Sequence, residues 1–222
     1  MSRAEDIRAN AAAVEARIAA ACARAGRARS DVTLVAVTKT FPAADLDHAI
    51  AAGMTDLGEN KVQEARDKKP AVTGAARWHL IGHLQSNKAK DAVRLFDVIQ
   101  TVDSLELAGK LARAAEGAGK RQEVLLQVNI GREEQKSGAE IDVLPELAAG
   151  VAALPSLHLT GLMAIPPAGE PDAMRPYFRE LRALRDALGL TELSMGMTDD
   201  FEIAIEEGAT IVRVGRAIFG SR

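Results

Sequence analysis

From residue 32 onward, short apolar runs rich in β-formers alternate with helix-like stretches, and this rhythm constrains the fold more than any other feature. The runs cover residues 32–37, 55–57, 78–81, 96–99, 123–128, 157–163, 192–195 and 210–214. Strands alternating with helices point to a parallel sheet. Eight such units are the number that closes a (β/α)8 barrel, the TIM-barrel fold. The chain has 222 residues. Beyond a first helix this leaves roughly 24 residues per unit, tight for such a barrel. The expected architecture is therefore one α/β domain over 1–222, with an extra N-terminal helix at 1–26 and the barrel at 32–222. An open doubly wound sheet is the alternative, weakened in its dinucleotide-binding form because no GxGxxG follows the first run.

The first segment has a different period. Ile7, Ala11, Val14, Ile18 and Cys22 recur at spacings of three and four, which predicts an amphipathic helix. Ser2 with Glu5 forms a capping-box pattern, and Gly26 suits the stop. Further along, Asp103 with Glu106 reads as a second capping box, and Thr198 as the cap of the seventh helix of the alternation. Cys22 is the single cysteine, so an intrachain disulfide and a multi-cysteine metal centre are excluded; its place on the apolar face predicts a buried thiol. The N-terminus has no apolar signal core and no run reaches membrane-spanning length, so the expectation is a soluble, cytoplasmic protein. Hydrophobic residues make up 47% and charged residues 27%, enough to build a core. A net charge of -3 and only 3% aromatics argue against nucleic-acid partners, which need basic surface and stacking platforms. A monomer is expected.

In such barrels the functional groups stand at the C-terminal strand ends. Lys39 follows the first run on the same side as Val35 and Val37. If that side is the interior, a desolvated amine there is suited to forming a Schiff base with a carbonyl compound; the alternative is a solvated lysine at a strand end. The 194–198 segment, Ser-Met-Gly-Met-Thr, leads from the seventh run into a helix and reads as an anion site, most naturally for phosphate. Arg213, opposite in side to Val212 and Val214, precedes Gly215 and Arg216. The turns after strands seven and eight are the recurrent phosphate position of this fold, so two weak signals fall in one place. Arg213 as an outward, solvated strand residue is the alternative there. His79 and His83 flank Gly82 in a strand and turn, without an evident acidic third ligand, so no metal site is expected.

Several longer motifs carry a resemblance. They are Val-Thr-Lys-Thr at 37–40, Gly-Glu-Asn at 58–60 with Val-Gln-Glu at 62–64, and His-Leu-Ile-Gly at 79–82 with Leu-Gln-Ser-Asn-Lys at 84–88. To these add the 194–198 segment with Asp200, and Val-Arg-Val-Gly at 212–215 with Ala-Ile-Phe-Gly at 217–220. The sequence resembles the pyridoxal phosphate homeostasis protein family, itself similar to the N-terminal barrel domain of alanine racemases. The resemblance implies bound pyridoxal 5′-phosphate (PLP), with Lys39 forming the internal aldimine. It implies Ser194, Gly196 and Met197 in a phosphate loop, Gly215 with Arg216 in a second phosphate turn, Arg213 facing the pyridine nitrogen, and Asn60 lining the pocket. Asn129 and the segment around Lys136 match a further motif of unassigned role. The implied function is to buffer PLP or deliver it to apo-enzymes, with effects on amino-acid and keto-acid metabolism and little or no catalysis. A PLP-dependent racemase-like enzyme is the alternative; the length leaves no room for the second domain that completes a racemase site, and the only Tyr, Tyr177, is expected on a helix away from that role. Two positions depart from the family pattern: Lys61 replaces a frequent aromatic, and Arg216 a frequent small hydroxyl residue.

Overall fold

A computed structural model describes residues 2–220 of the chain. Eight parallel strands close into a barrel in sequence order. They are β1 (Thr33–Val37), β2 (Asp56–Glu59), β3 (Arg77–Leu80), β4 (Val98–Val102), β5 (Gln122–Val128), β6 (Leu157–Ala164), β7 (Glu192–Ser194) and β8 (Ile211–Val214). The first strand pairs with the last, Val35 opposite Arg213, so the open doubly wound alternative is excluded. Residues 1, 221 and 222 of the expected domain lie outside the described residues.

The helices form the outer ring. They are α1 (Arg3–Arg24), α2 (Ala43–Ala51), α3 (Val62–Lys68), α4 (Ala89–Leu95), α5 (Leu105–Gly117), α6 (Leu144–Ala152), α7 (Arg175–Ala187), α8 (Phe201–Glu206) and α9 (Arg216–Phe219). Most of the core lies in the shell between helices and barrel, while α1 packs across α2, α8 and α9. A smaller apolar cluster, Val35, Val98, Leu125, Met163 and Ile211, fills the barrel itself.

The N-terminal helix begins with the expected capping box: the Ser2 hydroxyl accepts from the Glu5 amide, and Glu5 accepts from the Ser2 amide. Ile7, Ala11, Val14, Ile18 and Cys22 are all buried. Gly26 follows the helix at φ 65°, a conformation in which a Cβ is costly. Ion pairs from Arg17 to Glu202 (2.9 Å) and Arg24 to Glu206 (2.9 Å) bolt α1 onto α8. Arg3 donates to the Phe219 carbonyl (2.9 Å) and Asn10 to the Ile218 carbonyl (3.0 Å), so the same helix also anchors α9.

Some expected boundaries move. The fourth strand is Val98–Val102 instead of 96–99, because Gln100 and Thr101 continue it as fully buried polar residues. Ser104, not Asp103, caps α5 by accepting from the Leu107 amide at 3.3 Å. Asp200, not Thr198, stands at the start of α8, and its carboxylate accepts from the Met197 amide at 2.6 Å. The Asp200 carboxylate thus reaches back to close the loop before the helix instead of capping the helix interior.

Candidate cofactor site

At the C-terminal end of the barrel lies a cavity of about 520 Å3. Lys39 and Phe41, just beyond β1, form one wall. The β7–α8 turn, Met197 to Asp199, forms another, and Arg213, Gly215 and Arg216 close the third. The size lies in the range of small-molecule sites.

Register explains why these groups meet. In parallel strands, partners in register point to the same side. Arg213 is level with Val35, which belongs to the interior cluster, so its side chain enters the barrel. It is only 3% exposed. Its guanidinium donates to the Ser194 hydroxyl (2.6 Å) and the Ala164 carbonyl (2.9 Å). Burial pulls its pKa down to about 10, while nearby Asp200 acts in the opposite sense. At neutral pH it remains a cation.

Lys39 is half-buried, two residues after Val37. Its ammonium has no hydrogen-bond or ion-pair partner among the described residues. Its neighbours, in contrast, are tied down outside the barrel. The Thr38 hydroxyl donates to Glu59 (2.7 Å), and Lys68 donates to the Thr38 carbonyl (2.8 Å). The Thr40 amide donates to Glu64 (2.8 Å), which helps hold Thr40 at φ 69°. Lys68 bridges both carboxylates, at 2.8 Å to Glu59 and 3.2 Å to Glu64. Burial raises the Glu59 pKa, outweighing its bonds from Lys68 and Thr38. Burial would also raise Glu64, but the Thr40 amide and Lys68 hold it below its ordinary value.

The facing turns are shaped by two glycines. Gly196 has φ 89°, and a Cβ there would lie 2.5 Å from Ala204 Cβ and 2.9 Å from Phe201 Cα. A Cβ on Gly215 would lie 3.1 Å from both Cβ and O of Val37, so glycine lets the β8–α9 turn sit against β1. The main-chain amides of Thr198 and Asp199 donate to no protein acceptor among the described residues. Arg216 pairs with Asp199 across the mouth. Phe41 stacks on Phe219 at 4.8 Å beneath α9.

The comparisons with known proteins follow the same outline. Residues 9–222 match the family described as alanine racemase, N-terminal domain. A pyridoxal phosphate homeostasis protein of Pseudomonas aeruginosa is 46% identical over 217 residues, covering 96% of this chain and 94% of that protein. The chain belongs to the pyridoxal phosphate homeostasis protein family. A solved structure of an unknown protein from Bifidobacterium adolescentis superposes with a TM-score of 0.92 at 39% identity, over 98% of this chain and 96% of that one. The structure of PipY from Synechococcus elongatus with PLP bound gives a TM-score of 0.80 at 38% identity, over 86% of this chain and 93% of that one.

Against the homeostasis-family expectation, Lys39, Met197, Arg213, Gly215 and Arg216 line one cavity, and Gly196 shapes its loop from behind. Asn60 stands half-buried at the end of β2, outside that lining, with its carbonyl packed where a Cβ of Gly82 would be. Ser194 departs from its expected place. It is fully buried, and its hydroxyl is committed to Arg213 and to Gln100 (2.6 Å), so it meets the cavity through Arg213 instead of as a phosphate donor. Sequence reading missed Glu59, Glu64, Lys68 and Gln100. The two glutamates sit in quoted motifs, and a carboxylate in a strand that should be apolar was the available signal for Glu59.

Proposed function

We propose that this chain binds PLP through Lys39 and buffers or delivers it to apo-enzymes, with little or no turnover of its own. One observation carries the reading: a lysine amine without a partner among the described residues, a buried arginine and two glycine-shaped turns converge on a single cavity of about 520 Å3. The donor set fits the group. Lys39 supplies an amine for the aldehyde, the free amides of Thr198 and Asp199 and the Gly215–Arg216 turn suit a phosphate, and Arg213 suits the ring nitrogen. When bound, PLP supplies an electrophilic carbonyl and an electron-withdrawing ring.

The chain's own groups favour holding over turnover. A fixed guanidinium beside the ring nitrogen disfavours a proton there, because two cations would be adjacent. That weakens the ring as an electron sink. The only carboxylate lining the cavity among the described residues, Asp199, is engaged by Arg216. Lys39 is the only amine lining it, so a second base on the opposite face is missing among those residues.

The test is PLP titration followed by transfer to an apo-enzyme, comparing the wild type with Lys39→Ala. The expected result is a yellow wild-type protein that reactivates the apo-enzyme and a variant that does neither. Steady Lys39-dependent turnover of an amino-acid panel would overturn the carrier reading in favour of a racemase-like enzyme.

A further inference from the structure

The barrel interior is apolar at five positions, yet a chain of polar side chains crosses it. The Asp56 carboxylate lies 2.9 Å from His79 Nε2. His79 Nδ1 lies 2.9 Å from Gln100 Nε2. Gln100 Oε1 lies 2.6 Å from the Ser194 hydroxyl, which lies 2.6 Å from Arg213 Nη1. His79, Gln100 and Ser194 are fully buried. The five residues come from β2, β3, β4, β7 and β8, so the chain links one side of the barrel to the other.

The chemistry of the two ends fixes its direction. A guanidinium only donates, so Ser194 accepts from Arg213 and passes its own proton to the Gln100 carbonyl. That leaves the Gln100 amide to donate to His79 Nδ1, so the ring proton sits on Nε2 and is donated to Asp56. A carboxylate only accepts, and Asp56 is held ionised: burial would raise its pKa, but the bonds from His79 and Thr55 outweigh that and lower it. Every link therefore has one orientation, which running it backwards would break at both ends.

Such a buried network is costly unless complete, and hydrophobic filling of the same space would be simpler. Its only end in the cavity is Arg213. We propose that Asp56, His79, Gln100 and Ser194 are positioning residues that set the place and orientation of the Arg213 guanidinium toward the bound ring. The inference rests on the PLP reading above. It gives a task to His79 and Ser194, which belong to motifs the cavity lining leaves unexplained. In a dry interior, hydrogen bonds in series polarise one another, so the Asp56 charge is felt at Arg213 through the chain.

The test uses the full chain loaded with PLP. Three quantities are read: the PLP dissociation constant, the pH midpoint of the visible band, and the melting temperature. Gln100→Leu breaks the chain one link from Ser194. It is expected to weaken PLP binding about tenfold and to raise the pH midpoint by about half a unit, because a displaced cation withdraws less electron density from the ring. His79→Gln keeps a carbonyl toward Gln100 and an amide toward Asp56, and is expected to restore both values to near wild type, whereas His79→Leu follows Gln100→Leu in direction. Should Gln100→Leu fail to fold, Ser194→Ala probes the adjoining link with the same expected signs. A lowered melting temperature with an unchanged pH midpoint and affinity would overturn the proposal, reducing the chain to a structural brace. A wild type that develops no visible band with PLP would instead sink the PLP reading itself.

Discussion

Lys39 and Arg213 line one cavity from the neighbouring strands β1 and β8 but are held in opposite ways. Around Lys39 the constraint lies outside the barrel, where Glu59, Lys68 and Glu64 grip the residues on either side and leave the amine without a partner among the described residues. Around Arg213 it lies inside, where Ser194 and the Ala164 carbonyl grip the side chain itself. The difference matches the tasks proposed for the two groups. An amine that must bond to and release a carbonyl needs a rigid backbone and a free tip. A charge that tunes a ring needs a fixed tip.

Removing either tip is the strongest way to break this contrast. Lys39→Ala is expected to abolish the visible band while leaving the melting temperature within about 1 °C, since a half-exposed residue without partners among the described residues contributes little to stability. Arg213→Leu is expected to cost about 3 kcal/mol of stability by denaturant titration, because it removes the buried donor to the Ser194 hydroxyl and the Ala164 carbonyl. The two variants should therefore separate, one losing chemistry without stability and the other losing both. Equal stability of the two would erase the distinction.

The outer clamp is the next test. Glu64→Ala removes the acceptor of the Thr40 amide and one arm of Lys68. A loss of about 1 kcal/mol is expected, with slower formation of the visible band on adding PLP. An unchanged rate would mean that the clamp serves the fold alone.

The smallest effect concerns pH and the seam between α1 and α8. Glu202 is lowered by its bonds from Arg17, and Glu206 by those from Arg175 and Arg24. A carboxylate whose folded pKa is depressed contributes stability above its ordinary value of 4.5 and loses it as the pH falls through the folded value. Melting temperature should therefore decline below about pH 4.5 as α1 loses its hold on α8. Arg17→Gln should flatten that decline, and an unaltered acid limb would contradict the assignment.

Much of this architecture was legible because it rests on periodic patterns. The 3.6-residue spacing from Ile7 to Cys22, and the capping box at Ser2, give α1 directly. Eight apolar runs give eight strands, and the ends of the first and last bring Lys39 and Arg216 to one cavity. What was hidden depends on partners distant in sequence. Gln100 looks like the end of a strand until His79 and Ser194, 21 and 94 residues away, satisfy it inside the barrel. Ser194 reads as a phosphate hydroxyl until Arg213 claims it. Local spacing marks where a polar residue sits, while its task is set by which strand lies opposite.

The central claim is that Lys39 is the point of attachment, and one measurement addresses it directly. The wild-type protein is saturated with PLP, reduced with borohydride, digested, and mapped by peptide mass. The account predicts a single pyridoxyl-bearing peptide, modified at Lys39. Modification at Lys61, Lys136 or any other lysine in its place, or none at all, would contradict it.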